Sequence, residues 1–144
     1  MCHLTEFPEK EILTILRRRE GFSRLPYKCP AGHLTVGYGH NLECGISAEA
    51  AEFILRQDVE AAVSAVKGAF VWWNKLNDVR RFVLVDMCFN LGISSLKRFK
   101  KMLAACAAGD YETAALEMLL SRWALQVGAR ARENAAMMKS GEWP

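Results

Sequence analysis

"EGFSRLPYKCPAGHLTVGYGH", residues 20–40, closes one periodic pattern and opens another. The segment before it, "FPEKEILTILRRRE", carries Ile12, Leu13, Ile15 and Leu16 at helical spacing. Pro8 suits a first helical position and Gly21 a C-terminal stop, so Glu20 is the last residue of a first helix. Within the stretch, Pro30, Ala31 and Gly32 are turn residues and "HLTVGY" alternates, which predicts a hairpin. Leu34, Val36 and Tyr38 fall on one face of its second strand, and His33, Thr35, Gly37 and Gly39 on the other. With the loop at 30–32, Cys29 pairs with His33 and shares the face of Thr35. A nearly bare face with one hydroxyl in its middle is what close approach of a ligand requires.

The rest of the chain reads as helix. Ser47 caps a long pattern, "SAEAAEFILRQDVEAAVSAVKG", ending near Gly68. "FVWWNKL" is a connector or short helix. Asn77 caps "DVRRFVLVDMCFNLG", which is apolar on almost every side and so is expected to be central and buried. Asp86 in its middle is a polar group in apolar company and needs a partner. Three further helical patterns, about 95–107, 110–123 and 129–139, are separated or ended by Gly109, Gly128 and Gly141. One small hairpin with six or seven helices is an α+β class in which helices dominate.

Bulk properties narrow the function. The 144 residues fit one domain, with room for two lobes, large enough to fold without a disulfide or metal. A net charge of +3 is a mild bias toward anionic partners, short of the clustered excess of a nucleic-acid binder, so nucleic acid is not an expected partner. No apolar run approaches the ~18–20 residues of a membrane span. No secretory signal is visible at the N-terminus, and five cysteines without framework spacing suit reduced thiols in a cytosol.

Glu20 is the candidate for acid chemistry; taken alone, a surface Glu finishing an amphipathic helix is its plainer reading. The negative end of a helix dipole disfavours an anion there. A carboxylic acid kept protonated beside a bare cleft is what a glycosidic bond requires for leaving-group protonation.

The joint pattern resembles the active-site segment of the phage-type lysozymes, the muramidase family of the T-even phages. That motif is Glu, eight residues, Asp or Cys, five residues, Thr, then Gly-x-Gly-His. Here it is Glu20, Cys29, Thr35 and "GYGH" at 37–40. The resemblance continues through "ISAEAAEFILRQDVEAAV", "LNDVRRFVLVDMCFNLG", "SRWALQVGARARE" and "SGEW". It implies a two-lobed, lysozyme-like fold: a small β-hairpin lobe over about 8–46, a linking helix over about 47–67, and a helical lobe over about 68–144. The N-terminal helix is a candidate to pack on that lobe. It also implies a cleft between the lobes.

Carried over residue by residue, the resemblance makes Glu20 the general acid and Thr35 the group that helps position the attacking water. Gly39 and His40 fall where the cleft is lined, with His40 expected to pair with Asp58. Phe89 and Asn90 are sugar-contact candidates, Arg122 in "SRW" belongs to the cleft's far side, and Arg130 matches an arginine near the catalytic Glu. A core position is the bland reading of Phe89 and the favoured one of Trp123. Cys29 stands where many members have Asp, so the mechanism, rather than the activity, is in question. A thiol titrates near 8.5 unless something lowers it.

The implied function is that of an endolysin, hydrolysing the β-1,4 bond between N-acetylmuramic acid and N-acetylglucosamine in peptidoglycan. The enzyme is expected to be a monomer with no cofactor and no metal. It would be made in the host cytoplasm and released through a separate membrane-permeabilising protein. Three rivals use the same residues. A lytic transglycosylase needs one carboxyl only. Cys29, His33, His40 and Cys44 could form a zinc module, although their spacing is not a common one. A catalytically dead relative is opposed by an intact Glu20 and Thr35.

Overall fold

The structure, a computed structural model, describes residues 8–144. It is α+β and mostly helical. Helix α1 spans Glu9–Glu20, followed by strands β1 (Ser23–Lys28), β2 (Leu34–Gly37) and β3 (His40–Asn41). Then come α2 (Ala48–Ala69), α3 (Asp78–Leu91), α4 (Ile93–Leu96), α5 (Lys100–Ala108), α6 (Tyr111–Leu119), α7 (Arg122–Val127) and α8 (Ala129–Ser140). Single 3-10 turns lie at Leu42–Cys44 and Trp73–Lys75. The chain divides into two compact units, Met1–Glu52 and Phe53–Pro144, with the boundary inside α2.

In the N-terminal unit, α1 stops at Gly21, whose φ of 68° no β-branched or bulky residue would adopt readily and whose N–H closes on the Arg17 carbonyl. The sheet is antiparallel in the order β1-β2-β3. Lys28 pairs with Leu34 and Tyr27 with Thr35, which fixes the expected register: the Cys29 N–H donates to the His33 carbonyl at 2.9 Å. The third strand, Val36 against His40 and Thr35 against Asn41, adds to the expected hairpin. Thr35 therefore sits on the middle strand. At 4% exposure it is the one buried residue among the described residues of this unit.

The C-terminal unit holds the apolar core. As the pattern of its sequence requires, α3 is central, burying Val79, Val83, Leu84, Val85, Met87 and Cys88. Asn77 caps it, accepting from the Arg80 N–H at 3.0 Å. Five of the six methionines, Met87, Met102, Met118, Met137 and Met138, are in the core, where an unbranched thioether fills irregular gaps between short helices. Helix α6 packs on α5 and α8, and α3 on α4 and α8. Each fully buried side chain of this kind contributes about 1.5–3 kcal/mol.

Two expected helices are broken. The 95–107 pattern divides so that Phe99 meets Trp123 edge-on, with ring centroids 6.2 Å apart. The 110–123 pattern divides at Ser121. Its hydroxyl donates to the Met118 carbonyl at 2.6 Å, ending α6, and accepts from the Ala124 N–H at 3.2 Å, starting α7.

Candidate active site

Glu20 and Gly39 come together. The chain reaches Glu20 as the last turn of α1 ends and returns through β2 to Gly39. An added Cβ on Gly39 would lie 2.6 Å from Glu20 Oε2 and 3.0 Å from its carboxyl carbon. The carboxylate thus occupies the space that a side chain at 39 would fill. Gly39 also has φ of 77°, so the turn itself favours glycine.

Cys29 and Thr35 come together on the adjacent part of the sheet. Hydrogen bonding from the His33 backbone is the largest cause lowering the Cys29 pKa; burial opposes it, and the Ala31 backbone, the Thr35 hydroxyl and the Gly32 backbone add to it. The thiol therefore sits in a ring of donors at the hairpin turn, an arrangement that favours an anion. The Thr35 hydroxyl has one proton and two acceptors for it, the His33 carbonyl at 3.0 Å and the Cys29 sulfur. While it donates to His33, its lone pairs are left to accept from a water.

His40 is used locally. Its Nε2 donates to the Gly45 carbonyl at 2.8 Å, pinning the turn that leads into α2. Its expected partner Asp58 belongs to the other unit, where it lines a cavity of about 320 Å³ with Ala61, Ala62, Ala65, Cys88, Phe89 and Ile93.

The remaining expected residues lie in the C-terminal unit. Phe89 is 44% exposed, so it is not a core aromatic. Trp123 is, at 3% exposure, and its indole N–H donates to Asn90 Oδ1 at 2.8 Å. Asn90 is thus held by its oxygen, with its amide N–H groups left over. Arg122 lines a second cavity of about 590 Å³ with Leu91, Phe99, Met102, Leu120 and Trp123, and with the charged residues Arg98, Lys100, Lys101 and Glu117. Arg130 is committed to Asp86: Nε and Nη2 donate to its two oxygens at 2.9 and 2.6 Å, and Asn134 Nδ2 adds a third bond at 2.7 Å. This is the partner Asp86 required. Burial acts to raise the Asp86 pKa, but the Arg130 and Asn134 hydrogen bonds and the nearby positive charge outweigh it and hold the carboxyl below its ordinary value.

One pair escaped the sequence reading. His33 Nδ1 donates to Glu43 Oε2 at 2.7 Å, and the Glu43 N–H donates to Asn41 Oδ1 at 2.9 Å. The Asn41 side chain ahead of the "LEC" turn is a cap signal that could have located Glu43. Among the described residues no group of three or more His, Cys, Asp or Glu is placed to hold a metal ion.

Residues 17–136 match the phage lysozyme family. The chain belongs to that family. It is 32% identical to an endolysin of Acyrthosiphon pisum secondary endosymbiont phage 1, over 74% of each chain. It is 23% identical to probable T4-type lysozyme 2 of Dictyostelium discoideum, over 88% of this chain and 92% of that protein. As a phage lysozyme the chain is a glycoside hydrolase whose substrate is peptidoglycan. No helix among the described residues is long and apolar enough to cross a membrane.

Proposed function

We propose that this phage lysozyme works as an endolysin that hydrolyses the β-1,4 bond between N-acetylmuramic acid and N-acetylglucosamine, with Glu20 as general acid. The observation that carries the reading is the Glu20 carboxylate seated over Gly39 at the end of α1. There its protonated form can give that proton to a leaving oxygen lying along the bare strand face, leaving the carboxylate. Thr35 accepts from the attacking water while its own proton is held by His33. Cys29, in its ring of donors, supplies a thiolate that takes the water's proton or stabilises positive charge on the sugar. Gly39, His40, Phe89, Asn90, Arg122 and Arg130 make up the proposed substrate-binding set: Gly39, Phe89, Asn90 and Arg122 as contact residues, His40 and Arg130 indirectly, through the Gly45 carbonyl and the Asp86 carboxylate that they hold. The enzyme acts as a monomer and reaches the wall from the host cytoplasm after the membrane is permeabilised.

Cys29 in place of a carboxylate favours one second reading, a lytic transglycosylase in which the sugar's own hydroxyl attacks. Digestion of purified peptidoglycan in 18O-labelled water separates the two. Hydrolysis places the label in the new reducing end. An unlabelled anhydro sugar would overturn the hydrolase in favour of the transglycosylase.

A further inference from the structure

The geometry points to His33 and Glu43 as a positioning pair for the Cys29–Thr35 edge of the active site. The inference rests on the lysozyme reading of that site and assigns a task to two residues outside its motif.

One carboxylate ties the start of β2 to the turn that follows β3. Glu43 Oε2 accepts from His33 Nδ1 at 2.7 Å, and Oε1 accepts from the Leu34 N–H at 3.4 Å. Glu43 is itself held, its N–H donating to Asn41 Oδ1 at 2.9 Å, and Asn41 pairs with Thr35 across the sheet. His33 in turn is the residue whose main chain meets both Cys29 and Thr35. Its carbonyl accepts from the Cys29 N–H at 2.9 Å and from the Thr35 hydroxyl at 3.0 Å. A shift of the His33 peptide would turn the Thr35 hydroxyl and open the ring of donors around the thiol together.

Stability is a poor explanation for the pair. Its side chains are 51% and 55% exposed, and an ion pair so open to water adds little to folding. What it fixes is the direction of one carbonyl. In this site that decides whether Thr35 offers a water its lone pairs or its proton.

The test compares the parent with Glu43→Ala and Glu43→Gln in kcat and KM on peptidoglycan, melting temperature, and the pH profile of iodoacetamide alkylation read on the Cys29 peptide by mass spectrometry. Glu43→Ala is expected to lower kcat about tenfold, in the range that slight misplacement of a reacting group produces. KM and melting temperature should stay near those of the parent, and Cys29 alkylation should shift to higher pH. The Gln amide oxygen still accepts from His33, so Glu43→Gln should recover most of kcat. Equal kcat and equal alkylation profiles in parent and Glu43→Ala would overturn the proposal, as would a loss of activity matched by loss of folded protein. A parent that leaves peptidoglycan intact would instead overturn the lysozyme reading, while the alkylation profile would still report on the pair.

Discussion

The carboxylate of Glu20 fills the place where Gly39 lacks a side chain, so close that a Cβ there would lie 2.6 Å from Oε2. Gly39→Ala therefore moves the acid as well as straining the turn. Gly37 is the control: its φ is 67°, against 77° at Gly39, but an added Cβ meets nothing within 4 Å. Both alanine variants should lose roughly 1–2 kcal/mol of stability from the left-handed backbone. Gly39→Ala alone should lose most of its turnover. Parallel thermal melts and turnover on purified peptidoglycan check this, and equal turnover in the two variants would contradict it.

Cys29 is proposed to act as an anion. The His33 backbone, against partial burial and with help from Ala31, Thr35 and Gly32, lowers its pKa, which shifts the thiol toward its thiolate form. Cys29→Asp should keep activity and extend the acid limb of the pH–rate profile, because Asp ionises near 3.9. Cys29→Ser cannot ionise at neutral pH and should lose most of it. A Ser variant equal to the parent across pH 5–8 would make Cys29 a bystander.

The Asp86–Arg130 pair gives stability a defined pH dependence. The folded Asp86 carboxyl is held below its ordinary value by Arg130 and Asn134 in spite of burial. Its stabilisation is present above the unfolded value, about 3.9, and is lost as pH falls through the lower folded value. Asp86→Asn should cost about 1–3 kcal/mol at neutral pH. That is less than a fully buried pair would lose, since Arg130 is still 36% exposed. Urea unfolding from pH 3 to 7 should show a flatter acid limb in the variant. Parallel curves would mean that the pair contributes nothing.

The hairpin was legible because its signals are local. Turn residues at 30–32 and alternation after them set the Cys29–His33 register before any contact is known. Strand β3 was not, since two residues have no periodicity to read. Gly39 was legible as a place of close approach, but the group that approaches it, Glu20, is 19 positions back and belongs to a helix. Asp86 announced that it needed a partner. Arg130 lies 44 residues on and was read as a site residue, because spacing cannot say which acid a cation meets. The break between α6 and α7 was hidden by Leu119 and Leu120, which continue the apolar pattern across the serine that caps α7.

Turnover by Glu20→Gln tests the proposed mechanism most directly. The amide is nearly isosteric with the acid over Gly39, so the variant should fold and melt like the parent. It cannot donate the acid's proton to a leaving oxygen, so kcat on peptidoglycan should fall by roughly 10²–10⁴ or more. A folded Glu20→Gln protein that releases muropeptides at the parent's rate would contradict the assignment of Glu20 as the general acid.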